Sequence, residues 1–144
     1  MKTKEIKSVT ASATIWLHGA KLDPKEVTKC CGVIPTKKWS KGDVHITSTG
    51  KEIVRKVSMW ELGASNSSSP VLEQVTNLLD QLKETGNLFD CLPHLESAKL
   101  SVFYAIDHDD EGEGKIDLSF SNEILTAAAV LGLEIEISMH VVRP

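Results

Sequence analysis

Aromatic residues are scarce: three Trp, three Phe and one Tyr make up 5% of 144 residues. No RNP1-like run is present, so a sheet that stacks RNA bases is not expected. No apolar run approaches the roughly 20 residues that cross a bilayer as a helix. The start MKTKEIKSVTASATIWL has lysines but no apolar stretch of the kind a secretory signal needs. Cysteine is sparse as well: Cys30, Cys31 and Cys91. Adjacent cysteines rarely pair with each other and the count is odd, so reduced thiols in a cytoplasm are expected. No C-x-x-C occurs, and Cys91 with His94 is a poor half-site where structural zinc needs four ligands. His18, His45, His94, His108 and His140 form no i,i+4 helical pair. G-x-S-x-G, the Walker A lysine motif and a post-strand G-x-G-x-x-G are all missing. These absences point to a non-catalytic protein without metal or cofactor.

What is there is an ordinary globular chain, 41% hydrophobic and 25% charged, with a net charge of −4. That is enough for one domain over residues 1–144 with its own core, residues 1–8 being a frayed start. The small net charge hides an asymmetry. Residues 1–57 carry 12 Lys and Arg against 5 Asp and Glu, and residues 58–144 carry 4 against 15. Such segments either offset each other within the fold or form two faces of opposite potential, one of which steers a partner.

The organising stretch is residues 11–43. Val9, Ala11, Ala13, Ile15 and Leu17 alternate with Thr10, Ser12, Thr14, Trp16 and His18, the period of a half-buried strand. Asp23 then caps a helix, with Pro24 at its first position and Glu26 completing a capping box. Gly32 suits the C′ position, and Cys30 and Cys31 fall in the last turn as packing residues. The loop at 36–43, TKKWSKGD, sets Trp39 among lysines. A short strand follows at 44–47. Residues 51–62 read as its returning partner, where Arg55 spoils the alternation as a bulge or an edge would.

Ser69 caps the most regular helix, with Val71, Leu72, Val75, Leu78, Leu79 and Leu82 at helical spacing. Residues 87–97 read as a loop and 99–106 as a strand. A hairpin tip is expected at 107–114 and a partner strand at 115–120. Ser121 caps a third helix that Gly132 stops, and residues 133–141 alternate most cleanly of all. Alternation in nearly every strand predicts α+β architecture, a largely antiparallel sheet with three helices packed mainly on one face. The capped unit LDPKEVTKCCGV resembles FSNEILTAAAVLGL. The expected layout is therefore ferredoxin-like and pseudo-duplicated, in the order β-α-β-β-α-β-β-α-β.

L-D-P-K-E-V at 22–27, C-G-V-I-P at 31–35, K-G-D at 41–43 and S-M-W-E-L at 58–62 stand out together with the serine-rich loop leading into a Leu-rich helix. This arrangement resembles the uncharacterised bacterial family called domain of unknown function 4279, from about residue 12 to residue 142. The family has no established activity, so the resemblance implies a shape and no mechanism. By fold-level analogy it suggests an immunity-type or accessory role in bacterial conflict.

Two regions are candidate sites. The acidic tip, with Asp107, Asp109, Asp110, Glu111 and Glu113, opens like an EF-hand loop. Its twelfth position is Leu118 where a bidentate Glu is required, so it reads as a solvated turn or an anionic patch for a basic partner. The other is a candidate binding surface: Trp16 and Trp60 on an open sheet face, and Trp39 with Lys37, Lys38, Lys41 and Asp43 in the loop. Exposed aromatics on a sheet are normally covered, by the chain itself, by a second copy or by a partner. The expectation is a cytoplasmic protein-interaction module. Its alternatives are a small-ligand or anion site at the Trp39 loop and, less favoured, an enzyme whose residues follow none of the familiar motifs. A protein partner or homodimer is expected, and neither membrane nor nucleic acid.

Overall fold

The computed structural model describes residues 9–107 and 117–142. The chain runs through β1 (Val9–Gly19), α1 (Pro24–Cys31), β2 (Lys37–Trp39), β3 (Val44–Ile46), β4 (Glu52–Val54) and β5 (Ser58–Gly63). It continues through α2 (Val71–Leu82), α3 (Leu88–Cys91), β6 (Ser97–Asp107), α4 (Asn122–Leu131) and β7 (Glu134–Val142). Five strands form one mixed sheet in the order β2-β5-β1-β6-β7, and β3 with β4 forms a separate hairpin. The β2–β5, β5–β1 and β1–β6 pairs are antiparallel, whereas β6–β7 is parallel. The class is α+β. Because β2 and β1 are both antiparallel to β5, they run parallel to each other, so β1-α1-β2 is a split β-α-β unit. β6-α4-β7 is an adjacent one.

The alternation of β1 decides the layers. Ala13, Ile15 and Leu17 are buried on one face, and Ser12, Thr14, Trp16 and His18 occupy the other. α2 lays Val75, Leu78, Leu79 and Leu82 on the buried face, joined by Leu100 and Val102 of β6 and Leu62 of β5. α1 adds Val27 and Cys31, and α4 adds Ala128 and Leu131. Each fully buried Leu or Val contributes about 1.5–3 kcal/mol by leaving water. Gln74 is the polar exception in this layer. Its Oε1 accepts from Ala13 N at 3.0 Å, and its Nε2 donates to the carbonyls of Ala11, Ser67 and Ser69 at 3.0, 3.2 and 2.9 Å.

Local signals explain two helix boundaries well. Asp23 accepts from Lys25 N ahead of α1, and Ser121 accepts from Ile124 N ahead of α4. Both helices end on a left-handed glycine, Gly32 at φ 69° and Gly132 at φ 85°.

Several expectations need correction. Pro70, not Ser69, occupies the N-cap of α2 and makes no side-chain cap bond. The Ser69 carbonyl is instead taken up by Gln74. The loop at 87–97 contains α3, capped by Asn87, which accepts from Asp90 N. The strand read at 51–62 is two strands. Arg55 donates its N–H to the Asp43 carbonyl and accepts from Gly42 N, which turns the backbone out of the ladder. Of the partner strand expected at 115–120, residues 117–120 take no strand conformation, and the expected tip beyond Asp107 lies outside the described residues. Both edges of β6 are already occupied, one by β1 and the other by β7.

Cysteine chemistry also differs from expectation. Cys30 in α1 and Cys91 in α3 form a disulfide, 61 residues apart in sequence, and Cys31 is the buried free thiol. Burial pushes the Cys31 thiol up to about 11.

Candidate functional site

The strand register assembles the open face row by row. Trp16 lies opposite Glu61 of β5 and Lys99 of β6, and His18 lies opposite Met59 and Ser97. Thr14 faces Ser101, and Ser12 faces Phe103. Across the parallel junction, Ser101 pairs with Glu136 and Phe103 with Ser138. Lys37 pairs with Glu61 and Trp39 with Met59 on the outer side of β5.

These rows enclose a concavity of about 450 Å³ lined by Ser12, Thr14, Trp16, His18, Lys99, Ser101, Phe103, Glu136 and Ser138. Lys99 Nζ lies 3.4 Å from Glu136 Oε2, so the groove holds a paired cation and anion. The rings of Trp16 and His18 meet edge to face, with centroids 6.0 Å apart. Burial, and secondly the nearby Lys99 charge, hold the His18 pKa below its usual value, with Glu136 acting weakly in the opposite sense. The imidazole is therefore neutral at neutral pH. Its Nε2 is shut off from solvent without a hydrogen-bond partner. Another concavity, about 460 Å³, follows the outer side of α2 with Glu73, Asn77 and Asp80, and brings no aromatic or basic group together.

The second surface is the β3–β4 hairpin. Val44 pairs with Val54, so Val44, Ile46 and Val54 share one face, and they are 57%, 63% and 56% exposed. His45 and Ile53 face the other way. The hairpin is joined to the sheet by a few contacts. Ser58 Oγ accepts from Lys41 N at 2.9 Å, and Asp43 Oδ2 accepts from Ser40 N at 2.8 Å. The Arg55 guanidinium sits 3.9 Å above the Trp39 ring centre, a cation–π contact worth about 0.5–1 kcal/mol at such a site.

The residues singled out in sequence separate into different places. Trp16 lies in the open-face groove. Lys37, Lys38, Trp39, Lys41 and Asp43 lie along β2 and the loop beside the hairpin. Trp60 does not share a face with Trp16. Its register opposite Leu17 puts it on the helix side, fully buried, with Nε1 donating to Thr28 Oγ1 at 3.0 Å. Strand period alone fixed its alternation but not which of its two faces met α1. Trp39 and Trp60 therefore do not form one pocket. Asp109, Asp110, Glu111 and Glu113 lie outside the described residues, and Asp107 is described only as the last residue of β6. Among the described residues no cluster of His, Cys, Asp and Glu is arranged to hold a metal ion.

Lys99, Ser101, Phe103, Glu136, Ser138 and His18 were not singled out as site residues. Their signal was the polar half of each alternating strand. What was missing was the order β1-β6-β7, which alone makes these half-strands neighbours.

Compared with known families, the chain matches the one described as Domain of unknown function (DUF4279) over residues 7–142, and it belongs to that family. No curated protein and no solved structure matches it.

Proposed function

We propose, from membership of a family whose description names no activity, that this chain is a non-catalytic module that docks a protein partner at the β3–β4 hairpin. The observation behind this is the outward face of Val44, Ile46 and Val54, more than half exposed on a hairpin outside the main sheet. A two-stranded hairpin alone is marginal in water, and covering its apolar face stabilises it. Residues 36–57 carry Lys37, Lys38, Lys41, Lys51, Arg55 and Lys56 against two carboxylates, Asp43 and Glu52, the latter opposite Ile46 in the register. The occupant that fits is a protein surface with an apolar centre and an acidic rim, steered by complementary charge. Nucleic acid fits less well, because a phosphate backbone offers nothing to three aliphatic side chains.

A cytoplasmic, immunity-type or accessory role is the process-level form of this reading. A pseudo-duplicated, ferredoxin-like origin is its evolutionary form, supported by two β-α-β units whose helices share a polar N-cap and a left-handed C-terminal glycine. The test compares wild-type chain with a Val44→Asp, Ile46→Asp double variant as immobilised bait. The expected result is a discrete partner retained by wild type at low salt and lost by the variant and by high salt. Retention of the same proteins by both baits would show that the hairpin is not the docking surface.

A further inference from the structure

The open-face groove is separate from the hairpin, and its chemistry is different. Ser12, Thr14, Ser101 and Ser138 give it a floor of short hydroxyl side chains. Phe103 stands at one end, and Trp16 and His18 lie towards the other. Phe103 is opposite Ser12 in the register, four residues along β1 from Trp16, or about 13 Å at strand rise. The charges cancel locally, because Lys99 faces Glu136 at 3.4 Å.

We propose that this groove binds a neutral polyhydroxylated ligand, a saccharide of one or two rings. The apolar C–H face of a sugar ring has its complement in the indole of Trp16 and the ring of Phe103. Sugar hydroxyls both donate and accept, and so do the serine and threonine hydroxyls of the floor. Glu136 accepts and Lys99 donates. Few polar groups placed among aromatics are the usual composition of a small-molecule site. An anion is disfavoured, since among the described residues the one lysine lining the groove is already paired. A peptide strand is disfavoured too, because β1 and β6 lie inside the sheet with both edges hydrogen-bonded.

The experiment titrates the ¹⁵N-labelled full chain with maltose, cellobiose and lactose, using inorganic phosphate as the anionic comparison. A neutral saccharide is expected to shift the amides of residues 12–18, 99–103 and 136–138 in a saturable way, leaving residues 44–54 unmoved. Trp16→Ala and Phe103→Ala are each expected to weaken binding by about tenfold. Ser101→Arg, which fills the groove from its floor, is expected to abolish binding while leaving the hairpin amides in place. Phe103 is 40% exposed, so its truncation leaves the core intact even if the Trp16 variant folds poorly. The proposal is overturned if no saccharide moves these amides, if phosphate moves them at lower concentration, or if Ser101→Arg binds as wild type does.

Discussion

Gln74 is 1% exposed on the helical layer, yet it makes four hydrogen bonds to the backbone. It fastens the start of β1 to the serine-rich loop that precedes α2. Replacing it by Leu keeps the volume and leaves one buried N–H and three carbonyls to find other partners. Each group left unmade costs about 1–3 kcal/mol, partly recovered by water at the loop. Gln74→Leu is therefore expected to lower stability by about 2–4 kcal/mol in urea denaturation with an unchanged m value. Gln74→Glu is expected to be no better, since a carboxylate accepts from Ala13 but gives nothing to the carbonyls. Helical period in the sequence puts residue 74 next to Val75 on the inner side of α2. Nothing in it says that a glutamine there is tied to residues 11 and 13, because the partners are some 60 positions away. His18 carries a pH prediction of the same kind. Its pKa is lowered in the folded protein, so the unfolded chain takes up the proton first as pH falls. The stability tied to neutral His18 is present above the unfolded value of about 6.5 and is lost as pH drops from there through the lowered folded value. Urea midpoints measured across that range should fall towards acid, and His18→Gln should flatten that part of the slope. An unchanged slope would mean that the imidazole titrates freely.

At the scale of elements, α1 and α4 were legible because cap, proline and glycine act within one turn of the helix they bound. The sheet order was not, since β1 reaches β6 across some eighty residues and no local pattern encodes that pairing. The same distance hid the disulfide: an odd count and an adjacent pair argue for free thiols, whereas the fold brings Cys91 of α3 beside the last turn of α1. The bridge closes a 61-residue separation and ties two short helices together. Chain-entropy arguments give a ceiling of about 4 kcal/mol for such a loop, and native bridges commonly deliver about 2–4. Cys91→Ser is expected to lose about that much, and a reductant to lower the wild type to the same level while leaving the variant unchanged. Cys31, held mostly as the thiol at neutral pH and 8% exposed, should stay unlabelled by iodoacetamide in the folded protein. Mass spectrometry of the labelled, then reduced, chain distinguishes the three cysteines. Equal stability of wild type and Cys91→Ser under oxidising conditions would remove the bridge from the folding free energy.

Across the whole molecule, charges of opposite sign meet inside the sheet: Lys37 of the basic half of the sequence pairs with Glu61 of the acidic half, and Lys99 lies 3.4 Å from Glu136. Lys37 and Lys38 lie on β2 at one edge of the sheet, and Glu134 and Glu136 lie on β7 at the other. Composition alone left open whether the two halves offset each other; the strand order is what brings Glu61 beside Lys37. The β7 edge also shows where the core stops. The residues Leu133, Ile135, Ile137, Met139 and Val141 form one apolar row, the most regular in the chain. α4 and the core cover only its start: Leu133 is 8% exposed and Ile135 packs against the core, while Ile137, Met139 and Val141 are 50%, 62% and 48% exposed. Period two identifies the face of a strand and says nothing about how far along it a helix extends. An uncovered apolar edge strand is a template for pairing with another chain, and a lysine there opposes it. Two substitutions on this one row should therefore behave oppositely. Ile135→Lys places a charge against the core and is expected to cost more than about 2 kcal/mol. Met139→Lys, four residues further, is expected to leave stability within about 0.5 kcal/mol and to reduce association on concentration or heating, followed by light scattering. If Met139→Lys destabilises as much as Ile135→Lys does, the far end of β7 is covered in solution and the core extends beyond α4.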